Sequence, residues 1–192
     1  MFELRDLSFA YPGREMLFAG LNLCLPTNER LLLCGENGSG KSTLLMLLCN
    51  KLQALRGKIT RPDKDLFYLP QNPENRILGI NLTQDLQIWQ MAGLDVEMVR
   101  SHSLLMDFDS TIWSLALGEL SKGTKQAYLL SIALCLPQYY LVLDEPFTAL
   151  DERRMTILSE ILEQRQEMLI VSHVKPLFSI HKTLHLEKGK IS

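Results

Sequence analysis

The run GENGSGKST, residues 35–43, constrains the fold of this chain more than any other feature. It matches G-x-x-x-x-G-K-[ST], in which backbone N–H groups of a glycine-rich turn surround phosphate oxygens. The apolar run Arg30–Cys34 precedes it and an apolar-periodic stretch up to Leu52 follows, which gives the strand, loop and helix that the pattern requires. The sequence therefore predicts a nucleoside triphosphate site, in which Lys41 reaches the terminal phosphates and the Ser42 hydroxyl holds Mg²⁺.

Hydrophobic patterning predicts short strands that alternate with helices. The predicted strands are Phe2–Phe9, 16–25, Arg30–Cys34, 57–60, Leu66–Leu69, 140–143 and Met168–Val171, followed by a terminal hairpin over 183–191. The predicted helices are 41–52, 121–136 and 151–163. This alternation indicates an α/β fold with a mostly parallel central sheet, and the two N-terminal strands predict an antiparallel flank.

The segment from Asn81 to Ser114 differs in character from the rest of the chain. It holds both tryptophans, and Leu82, Leu86 and Trp89 have helical spacing. At 192 residues the chain has the length of one domain. We therefore expect a single domain over residues 1–192, in which about residues 81–118 form an inserted helical subdomain.

Composition excludes several classes of protein. The formal net charge of −2 does not favour a nucleic-acid binder, which usually carries a basic face. The four cysteines have no metal-ligand or C-x-x-C spacing, which favours reduced thiols. The start of the chain alternates like a strand rather than a signal peptide, and the longest apolar stretch, 128–143, is too short to span a bilayer. We expect a soluble protein whose membrane role, if any, comes through a partner.

Two acids end the apolar run LVLDEP. A strand that ends in acids places carboxylates at the carboxyl edge of the sheet, where ligands bind in open α/β folds. Asp144 is positioned to hold Mg²⁺ opposite Ser42, and Glu145 to polarise an attacking water. The alternative is a solvated acidic turn before Pro146, which the phosphate-loop pattern makes less favoured.

A second anion site is predicted where LSKGTKQ opens a helix. Ser121 is a good N-cap, and Gly123 permits close backbone approach. Two phosphate-binding elements far apart in sequence indicate a sandwich, in which each chain completes the site of the other. An ordinary capped helix is the alternative interpretation.

Three further residues are candidates by position. His173 follows a predicted strand and is placed to contact a γ-phosphate, and Gln71 follows another and is placed to coordinate Mg²⁺ or the water. Tyr11 lies in the turn after the first strand, where its ring can stack on a base. The alternative interpretation is that His173 and Gln71 are ordinary loop residues and that Tyr11 is an aromatic that packs against the turn.

In this order, these motifs resemble the nucleotide-binding subunit of ATP-binding cassette (ABC) transporters, over nearly the whole chain. The resemblance implies a P-loop NTPase fold with a RecA-like core, and ATP with Mg²⁺ as ligands. It implies an adenine-stacking role for Tyr11, a D-loop at residues 149–151, and catalytic roles for Glu145, His173, Gln71 and Lys41. The implied nucleotide ligands are Tyr11, Gly35, Asn37, Gly38, Ser39, Gly40, Lys41, Ser42 and Thr43, with Ser121 and Gly123 acting on the opposing subunit's nucleotide. The implied Mg²⁺ ligands are Ser42, Asp144 and Gln71.

Two details set this chain apart within that resemblance. Lys122 and Thr124 replace the first glycine and the glutamine of the family's LSGGQ signature, which brings extra charge near the opposing nucleotide. The segment QNPENRILG, residues 71–79, resembles the ATPase subunits of energy-coupling-factor importers of vitamins, cobalt and nickel, although Arg76 replaces their usual glutamine.

The resemblance implies an ATPase subunit that pairs with a second ABC subunit, identical or paralogous, and powers transport. An integral membrane partner would contact the segment from Pro70 to Leu78, so the chain would lie in the cytoplasm on the inner face of the membrane, without a nucleic-acid partner. A soluble ABC ATPase acting on nucleic acid or the ribosome is the alternative. A GTPase or small-molecule kinase is disfavoured, because the guanine motif N-K-x-D is absent from the sequence.

Overall fold

The computed structural model describes residues 1–191. Its strands are β1 (Phe2–Phe9), β2 (Phe18–Leu25), β3 (Arg30–Cys34), β4 (Arg56–Thr60), β5 (Leu66–Leu69), β6 (Tyr140–Asp144), β7 (Met168–Val171), β8 (Lys182–Glu187) and β9 (Lys190–Ile191). Its α-helices are α1 (Lys41–Leu48), α2 (Leu82–Met91), α3 (Val96–Leu105), α4 (Lys122–Leu134) and α5 (Glu152–Glu163). Short 3-10 turns cover Pro73–Arg76 and Leu117–Glu119.

The central sheet has six strands in the order β5-β6-β7-β3-β8-β9. The first five are parallel, and β9 runs antiparallel to β8. Strands β6 and β7 are buried along their whole length, as expected for parallel strands covered on both faces. The mostly parallel sheet predicted from the sequence is therefore confirmed.

Alternate residues of the central strands pack into two separate cores. Leu31, Leu33 and Val142 pack with α1 and the N-terminal strands, whereas Leu32 and Ile170 pack with α4 and α5 on the other face. This division follows from the two-residue period of a strand, whose successive side chains point to opposite faces.

The N-terminal strands form a separate antiparallel sheet in the order β2-β1-β4. The predicted antiparallel flank is thus confirmed, and β4 adds a third strand to it. Strand β2 begins at Phe18 rather than residue 16, because Leu17 N–H bonds to Phe9 O within the turn.

Two further predicted segments differ more from the structure. Helix α1 ends at Leu48 rather than Leu52, because Asn50 adopts a left-handed φ of 56° and Lys51 N–H bonds back to Met46 O. The segment from Pro70 to Leu78 contains a 3-10 turn, although its composition predicts an irregular loop.

Helices α2 and α3 lie between β5 and α4 in the chain, and α3 packs on α4. Asn81 caps α2 and Asp95 caps α3, in each case through a side-chain oxygen that accepts backbone N–H groups. The inserted subdomain over about residues 81–118 stays a prediction. Within residues 1–191, every helix is too short or too polar to cross a bilayer.

Candidate active site

Segments that follow β3, β5, β6 and β7 meet at the carboxyl edge of the central sheet. They enclose a cavity of about 410 Å³. Its lining includes the predicted residues Tyr11, Asn37, Gly38, Gly40, Lys41, Ser42, Thr43, Gln71, Asp144, Glu145 and His173. Arg14, Glu15, Leu17 and Val171 also line it, although no sequence motif indicated them. Strand topology thus brings together residues that lie up to 162 positions apart, from Tyr11 to His173.

The glycine-rich loop connects β3 to α1 through backbone that only glycine adopts readily. Gly40 has φ of 105°, and the α1 helix that follows it has no side-chain cap. The first N–H groups of α1 therefore have no partner in the helix and are available to an anion. Gly35 is needed for another reason, since a Cβ there would lie 2.3 Å from Leu186 O of β8.

Lys41 lies inside the loop rather than in solvent. Its Nζ donates to Gly35 O at 2.7 Å and to Glu36 O at 2.8 Å, and the residue is only 6% exposed. These two bonds fix the loop around the ammonium group, which also lines the cavity. Ser39 lies beside the neighbouring cavity on the other side of the loop, and its buried Oγ has no hydrogen-bond partner in the described chain.

Asp144 ends β6 with a carboxylate that is 2% exposed. Tyr68 Oη donates to Oδ2 at 3.5 Å, while Oδ1 has no hydrogen-bond partner in residues 1–191. Burial raises the pKa of Asp144, and the nearby Ser42 side chain opposes that shift. A buried carboxylate oxygen without a partner, beside a serine hydroxyl, fits a hard divalent cation.

The fit to Mg²⁺ depends on phosphate oxygens as further ligands. Residues 1–191 contain no group of three His, Cys, Asp or Glu side chains that could hold a metal alone. Mg²⁺ is commonly bound through one or two protein groups together with substrate phosphates. The set of Ser42, Asp144 and Gln71 around this cavity is of that kind.

Glu145 and His173 are neighbours at the same edge. The Glu145 carboxylate is buried, and Oε2 accepts from His173 N–H at 3.2 Å and from Thr148 Oγ1 at 3.3 Å. His173 Nε2 lies 3.2 Å from Glu145 Oε1, which has no aligned hydrogen-bond partner in the described residues. Glu145 therefore has one oxygen held in place and a second that can accept a proton from water.

Tyr11 is fixed at the mouth of the cavity, with 38% of its surface exposed. Its hydroxyl shares a hydrogen bond of 3.0 Å with Thr43 Oγ1, and its ring meets Phe9 edge to face at 5.0 Å. These contacts hold the ring rigidly where a flat ligand can stack. The bond to Thr43 could not be predicted from the motifs.

Ser121 and Gly123 are absent from the lining of this cavity. Ser121 Oγ accepts from Thr124 N–H at 3.0 Å and caps α4, as predicted. A Cβ on Gly123 would lie 2.4 Å from Ala149 O, so this glycine permits close contact with the segment after β6.

A buried carboxylate that the sequence analysis missed supports the segment after β5. Asp85 of α2 is fully buried, and accepts from Tyr128 Oη at 2.8 Å. It also accepts from Leu78 N–H at 2.6 Å and Gly79 N–H at 3.3 Å. The sequence feature that could have indicated this role is the position of Asp85, one helical turn after Asn81 on an otherwise apolar helix face.

Comparison with known proteins is consistent with this geometry. A family model described as ABC transporter matches residues 18–148. The whole chain is 26% identical to the energy-coupling factor transporter ATP-binding protein EcfA2 of Methanospirillum hungatei, and spans 54% of that protein's length. Over 90% of the chain, identity to the thiamine import ATP-binding protein ThiQ of Escherichia coli is 31%, covering 81% of that protein.

A solved dimer of a bacterial ABC transporter cassette has the same fold. It superposes with a TM-score of 0.83, covering all of this chain and 97% of that one, at 17% identity. The likeness confirms the predicted cassette fold, with its mostly parallel sheet and antiparallel flank.

Proposed function

Since this chain belongs to the ABC transporter family, we propose that it is an ATPase subunit that binds ATP with Mg²⁺ and powers transport through a membrane partner. The observation that carries the proposal is the single cavity that joins the phosphate loop, the unpartnered Asp144 oxygen and the Glu145–His173 pair. A phosphate cradle, a cation ligand and a base for water are the three elements that triphosphate hydrolysis needs.

Phosphate binding falls to the loop and α1. The unpartnered N–H groups at the start of α1 surround phosphate oxygens, and Lys41 neutralises their charge. Ser42, Asp144 and Gln71 would hold Mg²⁺, which supplies charge neutralisation at the phosphates when bound. The ring of Tyr11 stacks on adenine, since its hydroxyl is already held by Thr43.

Water activation falls to Glu145. Its Oε1, which lies 3.2 Å from His173 Nε2, accepts a proton from the water that attacks the γ-phosphate, while its other oxygen stays fixed by His173 N–H and Thr148. The His173 ring, 47% exposed, contacts the γ-phosphate and orients it. The products are ADP and phosphate.

A second cassette subunit completes each site. Ser121 and Gly123 lie at a helix N-terminus outside the cavity of their own chain, which supports a role toward the nucleotide of a partner. Two ATP molecules then lie between two subunits, and loss of the γ-phosphate that bridges them lets the subunits separate.

The membrane partner contacts the segment from Pro70 to Leu78. Leu78 and the nearby Ile80 are 72% and 74% exposed, and Asp85 holds the backbone between them. Exposed apolar side chains on a fixed backbone suit a docking surface. With such a contact, the chain would lie in the cytoplasm, on the inner face of the membrane.

Import of a vitamin or transition-metal ion is the specific transport function we favour. Relatives named for export and for import are both similar to this chain, so direction rests on the segment 71–79 and on the energy-coupling factor relatives. Vesicles containing the chain and its co-purified membrane subunits should accumulate such a solute from the side opposite the ATPase. ATP-driven movement from the ATPase side to the opposite side would contradict import.

Glu145→Gln tests the ATPase assignment directly. The amide keeps the shape of the side chain but cannot take a proton from water, so steady-state hydrolysis should fall about 100-fold or more. ATP binding should persist, and the protein should elute as a dimer with ATP and Mg²⁺. The matched control is Glu15→Gln at the rim of the same cavity, which should hydrolyse at nearly the wild-type rate. Equal rates for Glu145→Gln and wild type would contradict the assignment.

A further inference from the structure

Two lysines of α4 reach across to the turn after β5. Lys122 Nζ donates to Asn72 Oδ1 at 2.8 Å, across 50 positions of sequence. Lys125 Nζ lies 3.6 Å from Glu74 Oε2, and its side chain is only 12% exposed. Because residues three apart share a helix face, both lysines contact the same short turn.

The two segments joined in this way carry different parts of the proposed site. Asn72 follows Gln71, which lines the cavity of its own chain. Lys122 lies between Ser121 and Gly123, which do not line that cavity. The contacts therefore connect the element that faces one nucleotide with the element proposed to face the other.

The same end of α4 is also fixed to the segment after β6. Buried Gln126 donates from Nε2 to Pro146 O at 3.2 Å, and Gly123 packs against Ala149. The lysine contacts connect α4 instead to the start of the segment after β5, beside Gln71. A second polar connection, from Tyr128 through Asp85, reaches the far end of that segment at Leu78 and Gly79.

We propose that Lys122 and Lys125 are positioning residues that clamp the Asn72–Glu74 turn to α4, so that Gln71 and the Ser121–Gly123 segment move together. We call these two contacts the α4 clamp. The inference rests on the proposed function, because it takes Ser121 and Gly123 to bind the nucleotide of a second subunit. Binding in one site then places Gln71 in the other, and the clamp contributes to the cooperativity of hydrolysis.

A direct role of Lys122 toward the opposing phosphate is the competing explanation. The two explanations predict different effects of losing Lys122 when Asn72 is also replaced. In a clamp, loss of the lysine ammonium and loss of the asparagine amide remove the same interaction, so their effects are not additive. If Lys122 instead binds phosphate by itself, removing it would lower kcat by the same factor whether or not Asn72 is present. The reductions in kcat of the two single variants would then multiply in the double variant.

The test is a double-mutant cycle of Lys122→Met and Asn72→Ala, with steady-state ATPase and ATP affinity as measurements. Each single variant should lower kcat about threefold to tenfold and reduce the Hill coefficient for ATP, and the double variant should match a single one. ATP affinity of the separated subunit should stay at the wild-type value. Asn72→Asp, which still accepts from an ammonium group, should keep most of the activity. Lys58→Met, at an exposed position of β4, is the control for loss of a lysine charge.

The ion pair is tested by exchanging its charges. Lys125→Glu or Glu74→Lys alone should reduce the Hill coefficient, and the two together should restore at least half of the loss. Multiplying losses in the cycle, or wild-type kinetics in every clamp variant, would overturn the proposal. Hydrolysis that does not depend on Glu145 would instead contradict the proposed function, so the two failures can be distinguished.

Discussion

The N-termini of α1 and α4 are both proposed to bind phosphate, yet they are built differently. Helix α1 begins after Gly40 without a side-chain cap, whereas α4 begins after Ser121, whose hydroxyl bonds to Thr124 N–H and Thr124 Oγ1. Neither helix has an acidic residue in its first turn, although acids are favoured there in ordinary helices. Both ends thus keep their positive dipole free, but at α4 the Thr124 N–H is already bonded to Ser121 Oγ, whereas α1 has no side-chain cap.

This difference indicates a division of labour. The α1 end is open toward a cavity formed by its own chain and can bind phosphate alone. The α4 end is capped by its own serine through the Thr124 N–H, which stabilises the helix start in the absence of a second subunit.

The largest effect is expected at the open end. Lys41→Ala removes an ammonium group and the two bonds that fix the loop carbonyls, so ATP affinity should fall about 100-fold or more. Isothermal titration calorimetry with ATP and Mg²⁺ measures this change. Lys58→Met should bind as wild type does, and an affinity for Lys41→Ala within threefold of wild type would refute the role of the lysine.

A smaller effect is expected at the capped end. A methyl group on Gly123 would lie 2.4 Å from Ala149 O, which forces α4 away from the segment after β6. Gly123→Ala should lower the steady-state ATPase rate about 10- to 100-fold, because misplacement of a site element by an ångström is costly. ATP affinity of the separate subunit should not change. Gly118→Ala, where a Cβ meets nothing within 4 Å, is the matched control.

The hydrogen bond from Tyr128 of α4 to Asp85 should affect the stability of the fold rather than the rate of ATP hydrolysis. Tyr128→Phe leaves a buried oxygen of Asp85 without its donor and should lower the free energy of unfolding by about 2 kcal/mol. Tyr140→Phe removes a hydroxyl that has no partner in the described residues, so it should cost nothing or stabilise. Urea denaturation of the two variants tests this, and equal losses would show that the bond to Asp85 is unimportant.

The smallest change in ATP affinity is expected at Tyr11, which bonds to Thr43 of α1. Tyr11→Phe keeps the ring but removes the bond to Thr43, and should weaken ATP binding no more than about fivefold. Tyr11→Ala removes the stacking surface and should weaken binding further. If the two variants bind ATP equally weakly, the hydroxyl rather than the ring is the important group.

Local patterns in the sequence predicted the strands around the site well. Arg30–Cys34, Leu66–Leu69 and Met168–Val171 have the predicted bounds, because short apolar runs between polar turns leave little choice of register. Since parallel strands end at one edge, the convergence of Gln71 and His173 on one cavity followed from those strands alone.

Contacts between distant side chains could not be predicted in the same way. The bonds of Asp85 to Tyr128 and of Lys122 to Asn72 depend on how α2, α4 and the turn after β5 pack, which no periodic pattern specifies. The early end of α1 depended on a left-handed Asn50, which a polar residue permits but does not require.

Mixing two inactive variants tests most directly whether the site is shared between subunits. Lys41→Ala disables the open end and Ser121→Ala the capped end, so each alone should hydrolyse ATP at a small fraction of the wild-type rate. Asn81→Ala, which removes the cap of α2 in the same way, controls for lost helix stability.

In an equal mixture, half of randomly formed dimers pair the two variants, and each such dimer has one site with intact Lys41 and an intact Ser121 from the partner. The mixture should recover activity well above that of either variant, up to about a quarter of the wild-type rate, measured as phosphate release at fixed total protein. A mixture no more active than its components, or a Ser121→Ala protein as active as Asn81→Ala, would contradict it.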